Sequence, residues 1–422
     1  MKFKKHTLKN GLRIITVPMP ETLAATVLVL VEAGSKYETK DVSGVSHFLE
    51  HMCFKGTAKR PKALDIVKEL DGIGAQYNAF TGQEYTGYWA KAGFRQFPKI
   101  LDVVSDIYLN PLFDRGEIEK EKGVIVEEIN MYEDMPARHV QDLFMELLYG
   151  DQPAGWNIAG EKRIVKKLTK EDFVLYRGQH YVASATTIVV AGRFDEKKIL
   201  GAVKKKFSTI SSSKKYPKKK VKEAQSRPRI MSKYKKTDQT HLVIGFRSYS
   251  IVHKRNLTLA VLAGILGGGM SSRLFQKIRE EMGVGYYVRA YNDPYTDHGI
   301  FQASVGVDNR RVREVIGAML GEFRKLKEEL VSDEELKKVK DHLIGSLFLE
   351  LESSDERANF YGMQEVLKKS ILSPREMAKR IRSVTPAQIR KVARDIFKNN
   401  GLNMAFIGPN RDRIKLSRTF KL

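Results

Sequence analysis

The sequence has a single cysteine, Cys53, among its 422 residues. One cysteine excludes an intramolecular disulfide and is typical of a reducing compartment. Runs of 18 or more apolar residues are also missing, so we expect no membrane span. A strand-like segment begins at Thr7, which leaves no room for a visible signal or transit peptide, and only a presequence that had already been removed would escape notice. These absences predict a cytoplasmic protein.

Acidic residues are few beside the basic ones, because 50 Asp and Glu stand against 74 Lys and Arg, a net charge of +24. Such an excess often indicates nucleic-acid binding. However, a net charge of +13 lies within the 33 residues from Lys204 to Lys236, where Glu223 is the one acid. No nucleic-acid-binding motif accompanies this run, and its composition is typical of a solvated linker. We therefore expect no nucleic-acid partner, and attraction of acidic partners or membrane surfaces is the alternative role.

Strand and helix patterns mix along the chain without strict β-α-β alternation, which favours an α+β fold over a doubly wound parallel sheet. The β-branched run 26–31 predicts a central strand, and 241–246 holds the same position in the second half. The segments 186–195, a predicted strand with a turn, and 402–409 close the two halves in the same way. The sequence thus predicts two similar domains of about 200 residues, each a mostly antiparallel sheet packed with helices. The predicted boundaries are 1–208, a basic linker at 209–226, and 227–422.

The sequence His47-Phe48-Leu49-Glu50-His51 carries the clearest chemical pattern. On a helix, positions three and four residues apart are neighbours, so His47, Glu50 and His51 share one face. Two imidazoles at this spacing can hold a zinc ion, and the glutamate can activate a zinc-bound water. The order is the inverse of the more frequent His-Glu-x-x-His zinc motif.

Catalytic zinc usually has three protein ligands, so this helix lacks one. Glu121 and Glu128 are seven residues apart in a helical segment downstream and share a face of that helix. One of them can serve as a ligand and the other as a supporting carboxylate. Glu127 points elsewhere.

With these residues the chain resembles the pitrilysin and mitochondrial-processing-peptidase family of inverted zinc metallopeptidases, in particular its bacterial single-chain members. The resemblance rests on His-x-x-Glu-His followed by a Glu-x6-Glu helix some 75 residues later. It implies one Zn²⁺ per chain, held by His47, His51 and Glu128. It also implies Glu50 as the general base and Glu121 as the supporting acid.

The resemblance extends to 72–81, which is similar to the family's edge strand along which substrate peptides lie. It implies that Asn78, Ala79 and Phe80 bind substrate by strand addition, through main-chain hydrogen bonds. An ordinary turn role for Asn78 is the alternative. In the second half, Arg279 and Tyr286 match an arginine and a tyrosine of the family that bind the substrate carbonyl and stabilise the oxyanion. Tyr287 competes for the second role, and a surface ion pair is the alternative for Arg279.

The family resemblance implies a zinc metalloendopeptidase that hydrolyses unfolded peptides or presequence-like segments. In that family a chain of this length is half of a clamshell chamber, so a homodimer, or a heterodimer with a related chain, is expected. The rival interpretation is a non-hydrolytic assembly or peptide-binding subunit with the same fold. An intact zinc motif argues against that rival.

Overall fold

The computed structural model describes residues 3–409 and 420–422, in which two β-sheets are packed with helices. The strands are β1 (Lys4–Thr7), β2 (Arg13–Pro18), β3 (Ala24–Val31), β4 (Gln76–Thr81), β5 (Thr86–Gly93), β6 (Thr186–Gly192), β7 (Arg229–Tyr234), β8 (Gln239–Ser248), β9 (Gly285–Pro294), β10 (Gly299–Asp308) and β11 (Asn403–Gly408). The helices are α1 (Val45–Cys53), α2 (Ala63–Asp71), α3 (Phe97–Leu109), α4 (Arg115–Asp134), α5 (Pro136–Tyr149), α6 (Lys162–Val165), α7 (Lys170–His180), α8 (Glu196–Lys206), α9 (Asn256–Gly267), α10 (Arg273–Phe275), α11 (Val312–Glu328), α12 (Asp333–Glu350), α13 (Ser354–Lys368), α14 (Pro374–Arg382) and α15 (Pro386–Ile396). Within the described ranges, no helix has both the length and the apolar character that crossing a membrane requires.

The two sheets repeat one topology. The first has the order β1-β2-β6-β3-β5-β4 and the second the order β7-β11-β8-β10-β9. Apart from the extra strand β1, each sheet has one parallel pair of strands at one side. This pair is β2 with β6 in the first sheet and β7 with β11 in the second, and the other pairs are antiparallel. The predicted α+β fold with two similar, mostly antiparallel sheets is confirmed.

The chain divides into two compact units, and each unit is assembled from three segments. Unit 1 comprises Met1–Ile129, Asn157–Lys219 and Phe348–Ser373, and unit 2 comprises the three remaining stretches, Asn130–Trp156, Lys220–Leu347 and Pro374–Leu422. These units differ from the contiguous boundaries expected at 208 and 227. The domain boundaries expected from the sequence therefore stay a prediction. The compact units of the structure combine segments that are distant in the chain.

Two helices account for this difference: α5 in the segment Asn130–Trp156 of unit 2, and α13 in the segment Phe348–Ser373 of unit 1. In unit 2, α5 packs on β8 and β11 through a cluster that includes the fully buried Phe144, Val243 and Ala405. In unit 1, α13 packs on β3 and β6. An apolar sheet face must be covered, and here the covering helix comes from a segment that a linear division assigns to the other half.

The core of unit 1 fixes the helix that carries the histidine motif. On the face of the sheet opposite α13, apolar side chains of β3 and β5 pack against α3, and α1 joins the same cluster beside β4 and α7. Val45, Phe48, Leu49 and Met52 of α1 are all buried in this cluster. Cys53 is buried beside them, as expected for a small apolar residue.

The basic linker is more than a solvated segment. Lys215 Nζ lies 2.7 Å from a carboxylate oxygen of Glu32, and Lys218 pairs with Glu84. Glu32 and Glu84 are both buried. At least two of the linker's lysines therefore neutralise acids of unit 1.

Replacement of Phe144 tests the packing of α5 within unit 2. We expect Phe144→Ala to lower the free energy of unfolding by about 3–5 kcal/mol, because it leaves a cavity under the sheet. Urea unfolding followed by the fluorescence of Trp156, in a Trp89→Phe background, reports on this unit. The exposed Leu330 gives the control, since Leu330→Ala should change stability by less than about 0.5 kcal/mol. Equal effects of both replacements would contradict this packing.

Candidate metal centre

Helix α1 begins at a position that requires glycine. Gly44 has φ 96°, and a Cβ there would lie 2.6 Å from the carbonyl oxygen of Ala159. The buried carboxylate of Glu38 accepts hydrogen bonds from the N–H groups of Gly44 and Ser46, each at 2.8 Å. These bonds satisfy donors that the first turn of a helix otherwise leaves free. Burial raises the pKa of Glu38 to about 8, and the two hydrogen bonds oppose this rise.

The polar face of α1 carries His47, Glu50 and His51, as the spacing predicts. Helix α4 supplies the two acids, and its buried Ile118, Ile125 and Ile129 hold it against the core of unit 1. Between the two acids, Ile125 is buried whereas Val124 is exposed.

Two histidines and one glutamate converge. The Nε2 atoms of His47 and His51 lie 3.7 and 3.6 Å from Oε2 of Glu128. The potential ligand atoms of the three residues all lie within 4.8 Å of one another. A tetrahedral zinc ion with bonds of about 2.1 Å separates its ligand atoms by about 3.4 Å. The two distances to Glu128 exceed this value by a few tenths of an ångström, and the remaining pair of ligand atoms exceeds it by at most about 1.4 Å. The three side chains can therefore hold zinc after small movements.

Glu121 binds the far side of one imidazole. Nδ1 of His51 lies 2.9 Å from Oε1 of Glu121, and Lys55 Nζ lies 2.5 Å from the other carboxylate oxygen. With its proton on Nδ1, the ring of His51 presents the lone pair of Nε2 to a metal. Burial alone would raise the pKa of Glu121, but the hydrogen bonds from His51 and Lys55 lower it. Glu121 therefore stays ionised and orients His51.

The two histidines differ in their electrostatic environment. Burial lowers the pKa of His47 to about 3, and the charge of a protonated His51 adds to this. Burial also acts to lower the pKa of His51, but the hydrogen bond with Glu121 and the charges of Glu50 and Glu128 raise it overall. His47 is thus neutral at physiological pH, which is the form that binds metal. Binding of a metal at His51 competes with its proton.

Glu50 lies beside the ligand set and contacts the end of β4. Its Oε2 accepts a hydrogen bond of 2.5 Å from the hydroxyl of Thr81. The pKa of Glu50 is raised overall, mainly by burial and further by the charge of Glu128. The hydrogen bond from Thr81 and the charge of His51 oppose this rise. A carboxylate with a raised pKa is a better proton acceptor at neutral pH.

Strand β4 forms an edge of the first sheet. It pairs with β5, and no strand within residues 3–409 and 420–422 pairs with its other side. Asn78, Ala79 and Phe80 all lie in this strand, so the prediction of an edge strand holds. Oδ1 of Asn78 accepts a hydrogen bond from the N–H of Ala79 at 2.9 Å. Whether these residues bind substrate stays a prediction.

Arg279 and Tyr286 belong to unit 2. Arg279 lies in a π-helical turn, Gln276–Glu281, that continues α10, and its Nη1 donates to the carbonyl of Gly285 at 2.6 Å. Tyr286 stands near the start of β9 with 63% of its surface exposed. Its neighbour Tyr287 is bound instead, since its hydroxyl lies 3.2 Å from Nδ1 of His241. This contact favours Tyr286 over Tyr287 as the free phenol.

Three further residues at this site were not predicted. Lys55 follows His51 by four residues, so the helical spacing could have identified it. Thr81 directly follows the predicted substrate residues, yet nothing local indicates that its hydroxyl reaches Glu50. Glu38 lies six residues before Gly44, and only the path of the loop brings it to the start of α1.

The comparisons with known proteins agree with this geometry. A family model described as Insulinase (Peptidase family M16) matches residues 13–162, and one described as Peptidase M16 inactive domain matches residues 167–343. An uncharacterized zinc protease of Streptomyces coelicolor is 33% identical over 416 residues, covering 97% of this chain and 90% of the relative. The uncharacterized zinc protease YmxG of Bacillus subtilis is 33% identical over 407 residues, covering 96% and 98%. This chain belongs to peptidase family M16.

Solved structures show the same M16 fold. A protease from Helicobacter pylori has a TM-score of 0.92 at 24% identity, and covers 97% of this chain and 99% of its own. A structure titled peptidase M16 inactive domain, from Pseudomonas fluorescens, has a TM-score of 0.90 at 16% identity with the same coverage. At such identities the similarity concerns the fold. The predicted relation to the pitrilysin and processing-peptidase proteins is confirmed.

Removal of the charge of Glu121 tests its role toward His51. We expect Glu121→Gln to weaken zinc affinity by about 10- to 100-fold, because the imidazole loses its ionised partner. Competition with a chromophoric chelator measures the affinity. Glu119 is exposed on the same helix, so Glu119→Gln should bind zinc as the wild type does. Equal affinity of both variants would rule out this role.

Proposed function

We propose that this chain is a zinc metalloendopeptidase that cleaves unfolded peptides or presequence-like segments. The observation that carries the proposal is the convergence of His47, His51 and Glu128 with Glu50 beside them. Three ligands leave a fourth position for water, which distinguishes a catalytic zinc site from a closed structural one.

His47, His51 and Glu128 would hold the zinc ion. When bound, zinc supplies a Lewis acid that polarises a carbonyl and lowers the pKa of water toward about 7. Glu50 accepts the proton of the attacking water through the carboxylate that Thr81 orients. It then donates that proton to the leaving amine, so the general base becomes the general acid.

Peptide binding is assigned to the free edge of β4. An extended substrate forms main-chain hydrogen bonds with Asn78, Ala79 and Phe80, which makes recognition tolerant of sequence. The edge strand ends at Thr81, the residue that contacts Glu50. A peptide paired with β4 is therefore led toward the general base.

Arg279 and Tyr286 are assigned to the substrate carbonyl. The guanidinium and the phenol both donate hydrogen bonds, and such donors stabilise the negative oxygen that forms in the transition state. The π-helical turn around Arg279 supports this role, because π-helical turns are frequent at functional sites.

The assembly that we propose is a homodimer enclosing a clamshell chamber. One chain carries both the zinc residues and the Arg/Tyr pair, so two identical chains suffice, and a heterodimer with a related chain is the other arrangement. Sedimentation velocity combined with peptide hydrolysis tests this point. An active monomer would contradict it.

The rival function is a non-hydrolytic peptide-binding or assembly subunit. Such a subunit needs no proton acceptor beside the ligands, and Glu50 with its bond from Thr81 therefore favours the peptidase. Only turnover separates the two functions.

Replacement of Glu50 by glutamine is the decisive test of the peptidase. We expect Glu50→Gln to lower kcat by about 10²- to 10⁴-fold, since the amide cannot accept the proton. Zinc content should match the wild type, because the ligands remain. Hydrolysis of a mixed library of unfolded peptides, read by mass spectrometry, provides the assay. Cleavage at the same rate by both proteins, or by neither, would refute the proposal.

The phenol of Tyr286 allows a separate test of the oxyanion site. We expect Tyr286→Phe to lower kcat by roughly 10- to 1,000-fold with little change in KM, because the hydrogen bond forms with the transition state. Tyr286 is exposed, so stability should not change. Tyr287→Phe is the control, and a larger loss there would reassign the role to Tyr287.

A further inference from the structure

The turn between β4 and β5 contains a buried acid that is paired twice. Glu84 is 2% exposed and lies between two lysines. Lys36 Nζ is 2.8 Å from Oε1 of Glu84, and Lys218 Nζ contacts the same oxygen. Burial alone would raise the pKa of Glu84, but the charges of the two lysines lower it overall. Glu84 is therefore a carboxylate that joins the turn to two other segments.

One of these segments is fixed by its backbone. The N–H of Ser35 donates to the carbonyl of Gly82 at 3.3 Å, and the N–H of Lys36 donates to that of Gln83 at 2.8 Å. Gly34 approaches so closely that a Cβ there would lie 2.3 Å from the oxygen of Gly82. Lys36 is a fully buried side chain, so its ammonium needs Glu84 as a partner. Lys36 and Glu84 therefore form a buried ion pair.

The other segment belongs to the basic linker. We define residues 211–218 as the strap. The N–H of Ala183 donates to Ser211, and the N–H of Tyr216 donates to the carbonyl of Gln179. Lys215 binds the carboxylate of Glu32, and Lys218 binds that of Glu84 in the β4–β5 turn. After Lys219 the chain enters unit 2, so the strap is the last part of this segment that is held on unit 1.

The turn also stands next to the candidate catalytic residues. Thr81 ends β4 and donates to Glu50 at 2.5 Å, and Thr86 begins β5 and donates to the carbonyl of Ala33 at 2.9 Å. Glu84 lies between these two threonines in the chain. A displacement of the turn must therefore shift the end of β4 that faces Glu50.

We propose that Lys218 is a positioning residue, and that the strap fixes the β4–β5 turn so that the free edge of β4 is aligned for peptide binding. Lys36 already compensates the charge of Glu84, so the second lysine is not needed for charge balance. Its contact instead fastens the linker to the strand that would pair with the substrate. This inference rests on the proposed peptidase function for the part that concerns substrate.

The test uses Lys218→Met in the full chain, because methionine keeps the apolar stem and Lys36 still pairs with Glu84. Hydrogen exchange of the amides of residues 76–88 measures the turn without any substrate. We expect exchange there to become at least about five-fold faster, as local opening costs less when a tether is lost. The matched control is Lys219→Met, since Lys219 is exposed and adjacent.

Kinetics give the second readout. We expect KM for an unfolded peptide to rise by about five-fold or more with kcat changed less than about two-fold, the pattern of lost ground-state binding. Zinc content should stay at the wild-type value, because no metal ligand contacts the strap. Lys218→Arg should restore both the exchange rate and KM. A loss of stability alone would instead lower the apparent kcat through a smaller folded fraction and leave KM unchanged.

The outcomes separate this inference from the peptidase proposal. Wild-type exchange and wild-type KM in Lys218→Met would overturn the role of the strap, even if Glu50→Gln is inactive. If the wild type cleaves no peptide but Lys218→Met still exchanges faster than the wild type, the peptidase proposal is refuted. The role of Lys218 in fixing the β4–β5 turn then stands. Equal changes in Lys219→Met would show a general effect of linker charge and would also overturn the proposal.

Discussion

The centre of this structure depends on one geometric constraint: three ligand atoms on two helices must come within about 3.4 Å of each other to hold zinc. His47 and His51 share α1, but Glu128 belongs to α4, some 80 residues later in the chain. The packing of both helices into one core brings the ligand atoms within 4.8 Å. The ionised Glu121 orients the imidazole of His51, and the buried Glu38 accepts hydrogen bonds from the first turn of α1.

Residues with short-range spacing could be predicted from the sequence. The pattern of His47, Glu50 and His51 fixes their common helical face, and the seven-residue interval of Glu121 and Glu128 does the same on α4. The strands at 26–31 and 241–246 were also predicted, because β-branched runs indicate buried strands. Their observed counterparts, β3 and β8, are interior strands of the two sheets.

Residues that act through long-range contacts could not be predicted. The roles of Glu38 and Thr81 arise from loops and strand ends whose positions no local pattern encodes. The same holds for α5 and α13, since their apolar faces indicate burial but not which sheet they cover. The linker illustrates the limit most clearly, because its charge suggested a solvated segment whereas Lys215 and Lys218 pair with buried acids.

A zinc titration of the metal-free protein tests whether the three converging ligands hold a catalytic ion. Unfolded-peptide hydrolysis is followed while zinc is added in known amounts to the chain. We expect no hydrolysis without metal, and activity that rises linearly and saturates at one zinc per chain. Hydrolysis by the metal-free protein, or none at full zinc occupancy, would contradict it.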